Sequence, residues 1–210
     1  MRIVSLLFAC LLWNMTFGQK AVSKEISTLL TEGKPLQEVS LIHFVSNEVT
    51  NRSIPLEGLT KGTIVSIDEV AIEKLLNGNS DFIQLGLPLS ERQNLKLNLV
   101  RHEIFAEDFA LYTSSEPGIP FNYTPGVHYK GVVEGDPSSL VAVSVFNNEV
   151  MALISTGHGN MILGRIDNDR ESRHILYAEN DLDKTSGFDC STPDDGFGYT
   201  EEDLKPQAEG

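Results

Sequence analysis

The chain has 210 residues, 40% of them hydrophobic and 22% charged, which suits one soluble domain with a substantial core and excludes a disordered polymer. Its net charge of −14 argues against nucleic acid and anionic membrane surfaces as partners, since both reward Lys and Arg. From Asp167 onward 13 acids stand against four bases, so the last 44 residues hold most of that imbalance.

Met1 to Gly18 reads as a secretory signal. Arg2 supplies the positive start, Ile3 to Trp13 the apolar run, and Thr16-Phe17-Gly18 ends it with small residues, Thr16 and Gly18, flanking Phe17 before a cut ahead of Gln19. The apolar run is too short to span a bilayer, so the protein is expected to be secreted or held at the cell surface. With the signal removed one cysteine remains, Cys190. A leftover cysteine in an exported chain points to an intermolecular bond, a reactive thiol or a metal ligand.

Residues 20–60 read as short strand-like pieces with breaks. Within them Val39, Leu41, His43 and Val45 share one face and Ile42 and Phe44 the other, as in a strand buried on both sides. Thr63 to Ile67 is a further strand. Ser66 followed by Glu69 then offers a capping box, and Val70, Ala71, Ile72, Leu75 and Leu76 keep helical spacing until Asn77-Gly78. One helix is predicted, about Ile67 to Leu76. Phe82 to Leu87, Leu95 to Phe105 and Asp108 to Thr113 read as strands, with a Gly-, Pro- and Ser-rich loop from Ser114 to Pro125.

The clearest pattern runs from Val127 to Ile166. Val127, Tyr129, Gly131 and Val133 alternate with other residues before Glu134-Gly135-Asp136-Pro137, and Val141, Val143 and Val145 do so before Asn147-Asn148. Val150 to Ser155 then runs into Gly157-His158-Gly159-Asn160. A two-residue period with such punctuation predicts an antiparallel meander. His174 to Ala178 adds a last strand, and residues 180–210 read as an acidic linker. The predicted fold is mostly β, an antiparallel sheet or sandwich with one short helix.

Within the meander, Tyr129, Gly131, Val133, Gly135, Pro137, Ser139, Val141 and Ser144 follow the form Y-x-G-x-V-x-G-x-P-x-S-x-V-x-x-S. This resembles the signature of the pro-domain of reprolysin-type (ADAM-like) zinc metalloproteases. The match covers about forty residues, roughly a fifth of the chain. Phe146 and Asn147-Asn148 stand where many members place a cysteine and a Gly-Leu pair, which puts the disulfide of those relatives in doubt. A well-made hairpin would also use Gly, Pro and Ser at its turns, though not at eight fixed spacings.

Catalytic patterns are missing. His102-Glu103 lacks the second histidine of H-E-x-x-H and sits in a strand pattern, and there is no G-x-S-x-G, P-loop or Cys-x-x-Cys. His43, His102, His128, His158 and His174 are scattered singly, and the acids around Asp194 and Asp195 do not follow EF-hand spacing. Cys190 lies in Phe188-Asp189-Cys190-Ser191-Thr192-Pro193-Asp194, which resembles the end of the matrix-metalloprotease switch motif, with Asp189 and Ser191 as departures. Two readings of it stand: an inhibitory zinc ligand, or an idle tail thiol.

The resemblance implies a secreted zinc metalloprotease precursor of which this chain is the front part: a signal over 1–18, a pro-domain over 19–179, and a linker over 180–210 toward a catalytic domain. The pro-domain would assist folding and keep the protease latent, its partner being the catalytic domain, which carries the zinc. No cofactor and no active site are expected in these residues. The alternative is a secreted β-rich adhesion or carbohydrate-binding module, which an exposed aromatic platform would favour. Arg170-Glu171-Ser172-Arg173 has the R-x-x-R form of a processing site, yet a cut there would leave Cys190 attached to the enzyme. Asn51-Arg52-Ser53 and Asn122-Tyr123-Thr124 fit the glycosylation sequon.

Overall fold

The computed structural model of the protein describes residues 17–47 and 58–182. The fold is mostly β, one large curled and largely antiparallel sheet with a separate two-stranded ribbon, accompanied among the described residues by two α-helices rather than one. The expected signal lies outside the described residues up to position 16, as do Asn51, Cys190 and the linker from position 183 onward.

Helix α1 (Phe17–Thr31) stands where strand-like pieces were expected. Val22, Ile26 and Leu29 recur at helical spacing and pack together on the sheet. The hydroxyls of Ser27, Thr28 and Thr31 donate to carbonyls three or four residues earlier, so these polar groups are satisfied within the helix itself. Gly33, at φ 69°, ends it, with its N–H donating to the Leu30 carbonyl and that of Lys34 to Leu29.

The expected doubly buried strand around Val39 to Val45 is instead two edge strands, β1 (Gln37–Val39) and β2 (Ile42–Ser46). Leu41 and Ile42 are buried, whereas His43 and Val45 are exposed because they alternate with Ile42 onto the other face of the strand. After β3 (Thr63–Ile67) comes α2 (Glu69–Asn77). Its cap is Asp68, whose side chain accepts from the Ala71 N–H at 3.0 Å. Ser66 does not cap it, because pairing with His43 holds that residue in β3.

Next follow β4 (Phe82–Pro88) and β5 (Asn94–Arg101), the latter stopping four residues short of the expected Phe105. The expected strand over Asp108 to Thr113 shrinks to β6 (Tyr112–Thr113), and β7 (Glu116–Pro120) forms inside the stretch expected as loop. The meander is as expected: β8 (Val127–Val133), β9 (Asp136–Phe146), β10 (Glu149–Thr156), β11 (Gly159–Arg165) and β12 (His174–Ala178). A short 3-10 turn over Glu179–Asp181 follows, and Leu59 bridges Leu182, so packing continues into the first residues expected for the linker.

The large sheet has the order β1-β4-β5-β8-β9-β10-β11-β12-β3-β2, and β1–β4 is its one parallel pair. Strands β1 and β2 lie at opposite edges yet are consecutive in the chain, joined by Ser40 and Leu41. The sheet must therefore curl until its edges meet. Thr63 Oγ1 and Asn47 Nδ2 both donate to the Leu89 carbonyl, at 2.8 and 3.2 Å, across that seam. The inward residues form one cluster, including Leu85, Leu97, Val143 and Ile154, to which α2 adds Ile72 and Leu75. On the outer face α1 packs Ile26 against Phe82 and Val132, with Lys130 paired to Glu25 at 3.1 Å.

Candidate interaction surface

The pattern from Tyr129 to Ser144 folds into the β8–β9 hairpin, and its residues have structural tasks there. Tyr129 is buried and its hydroxyl donates to the Ser80 carbonyl at 3.0 Å; burial pushes its pKa up to about 12, which keeps the proton in place. A Cβ on Gly131 would collide with the carbonyl oxygen of Asn98 on β5. Gly135 turns the hairpin at φ 80°. Ser139 is fully buried; its hydroxyl donates to the Asp136 carbonyl at 2.6 Å and accepts from the Val133 N–H at 2.8 Å. These contacts specify a hairpin, not a reactive group.

Among the described residues no three His, Cys, Asp or Glu side chains come together to hold a metal. Cys190, the one predicted metal ligand, lies outside them. His43 is exposed, with Nε2 4.0 Å from Asp68 Oδ2, and His158 sits at the exposed β10–β11 turn. His102 and Glu103 lie just past the end of β5, not within a strand. His174 is fully buried: its Nδ1–H donates to the Ser172 carbonyl at 3.1 Å, and Nε2 accepts from the Val150 N–H at 3.2 Å. Burial pushes its pKa down.

The R-x-x-R stretch is folded into the β11–β12 connection. Arg173 clamps Asp169 with contacts of 2.7 and 3.0 Å, and Asn168 and Ser172 take φ of 58° and 53°. The Arg173 guanidinium holds the Asp169 carboxyl down at about 2. A processing enzyme that needs an extended substrate finds none here.

The feature missed in the sequence is the excursion between β5 and β8. These strands are neighbours, with Arg101 opposite Tyr129, yet the chain between them leaves the sheet as the β6–β7 ribbon. None of residues 102–125 is buried. Seven of the 14 large hydrophobic residues exposed among the described residues lie here: Ile104, Phe109, Leu111, Tyr112, Ile119, Phe121 and Tyr123. Phe105, Phe109, Phe121 and Tyr123 help to line a concave pocket of about 340 Å³. Its root is an aromatic stack: Phe105 lies 4.4 Å from Phe109, 6.1 Å from Tyr123 and 6.0 Å from His128, centre to centre. His128 bonds Ser144 Oγ through Nδ1 at 3.0 Å, its Nε2 is buried without a partner, and burial lowers its pKa.

A signal for this surface was present. Connections between neighbouring strands are mostly short, and a long one carrying five aromatic residues is a binding loop more often than a spacer. No model of a known protein family matches the chain, and no curated protein matches it. No helix among the described residues is long and apolar enough to cross a membrane.

Proposed function

We propose that this chain is the N-terminal pro-domain of a secreted, reprolysin-like zinc metalloprotease precursor. It assists folding of the protease and keeps it latent, and its partner is the catalytic domain. The observation that carries this reading is the eight-position match from Tyr129 to Ser144. The apolar ribbon supports it, because a domain that covers another needs an exposed apolar surface to bury. In this reading the zinc belongs to the protease domain and Cys190 is its inhibitory ligand; thiolate is a strong zinc ligand and a serine hydroxyl a poor one.

The precursor should then be latent, and Cys190→Ser should release activity without a thiol-modifying reagent. Inhibition of the separated protease by wild-type and Cys190→Ser pro-segments divides the roles. Equal inhibition constants would remove Cys190 and leave the domain surface as the inhibitor. A fully active precursor would sink the reading.

The exposed rings of Phe109, Tyr112, Phe121 and Tyr123 favour the second reading, a carbohydrate-binding or adhesion module. Against a flat sugar platform, Phe105 and Tyr123 meet at 79°. Saturable glycan binding, lost in Phe121→Ala, would select that reading instead.

A further inference from the structure

We propose that the ribbon between β5 and β8 docks a protein surface with an apolar centre and a rim of Lys and Arg. That the docked surface belongs to the catalytic domain rests on the pro-domain reading; its chemistry does not. The first argument is burial. Ordering backbone costs about 1–2 kcal/mol per residue, and in this ribbon no buried side chain offsets it. The held apolar rings gain most from a surface that removes them from water. The stack of Phe105 on Phe109, Tyr123 and His128 fixes the root of the ribbon, so less freedom is lost on docking.

Charge names the partner. Residues 102–129 contain Glu103, Glu107, Asp108 and Glu116 and no Lys or Arg. The nearest cation before them, Arg101, is already paired with Glu103 at 3.0 Å. The exposed apolar residues thus share their segment with three exposed acids outside that pair, Glu107, Asp108 and Glu116, and with no Lys or Arg. A second copy would set acid against acid in a chain already at −14, and an anionic lipid surface would be repelled in the same way. A basic rim satisfies both the rings and the carboxylates.

The probes are two labelled amphipathic peptides with the same Leu/Trp face, one flanked by Lys and Arg and the other by Glu, titrated into the full chain. The basic peptide should bind about tenfold more tightly, with the gap closing as salt is raised. Glu107→Lys with Asp108→Lys should remove that preference. Ile119→Ser with Phe121→Ser should weaken the basic peptide about tenfold at unchanged Tm, since both side chains are more than half exposed and lie outside the aromatic stack. Equal affinity for the two peptides would overturn the proposal. So would self-association through the ribbon, or tighter binding to phosphatidylcholine vesicles. A latent precursor whose chain fails this test keeps the pro-domain reading and loses the ribbon. A selective ribbon beside a fully active precursor does the reverse.

Discussion

His174 links the two ends of the late meander. From the first residue of β12 it serves the Val150 N–H on β10 and the Ser172 carbonyl, both beyond the reach of ordinary strand pairing. His174→Leu would leave the buried Val150 N–H and the part-buried Ser172 carbonyl without this partner, at about 2–3 kcal/mol. His174→Gln retains a donor and an acceptor and should cost less. Burial holds the folded pKa below the ordinary 6.5, against the opposing influences of the Ser172 carbonyl and Glu149, with Arg165 lowering it further. As pH falls below about 6.5, the unfolded chain takes up a proton that the native ring refuses, so stability declines until the lowered pKa is reached. His128, beside Glu103 and His102, adds a share in the same window. Thermal unfolding against pH should show this slope, flattened in His174→Gln. A slope identical in both proteins would acquit His174. Asp169 acts in a separate acid limb: its pKa is depressed to about 2, so its stabilisation is lost only as pH falls from about 4 through that value.

At the scale of the element, the β8–β9 hairpin uses two glycines for different reasons. Gly131 faces the backbone of β5, where a methyl group has no room, while Gly135 has open space but a left-handed backbone. Gly131→Ala should therefore cost about 3 kcal/mol or more through displaced strands, and Gly135→Ala about 1 kcal/mol through φ alone. Urea unfolding of the two variants would rank them, and the reverse order would refute the packing argument. This hairpin and the strands after it were legible because alternation and two-residue turns are local signals. Helix α1 was not, since Ser27, Thr28 and Thr31 weaken a helical pattern and its support, the packing of Ile26 on Phe82 and Val132, shows only in three dimensions. The split at Ser40 and Leu41 was equally hidden: a chain that reads as one strand contributes to both edges of a sheet only when the sheet curls. For the ribbon the residues were visible and their exposure was not, because Phe109 fell in an expected strand and Phe121 in an expected loop, and neither pattern says what covers a ring.

At the scale of the whole molecule, the pairing between strands most distant in the chain is β12 with β3, where His174 lies opposite Val65. Removing β12 should leave β3 and β11 as open edges with apolar residues ready to pair elsewhere. A chain ending at Arg173 is expected to aggregate or remain unfolded, and light scattering beside the chain ending at Leu182 would measure it. A monodisperse, folded truncation would show that the other strands hold the curl without it. The same pairing sets a clock. During synthesis at about 5–20 residues per second, β3 emerges roughly 5–20 seconds before the strand that will flank it. Within that interval the residues up to Asn77 can form α1, α2 and the β2–β3 pair, but not their places in the ring. The order in which this protein is made is not the order in which it closes, and whatever guards the growing chain must keep β3 free until β12 arrives.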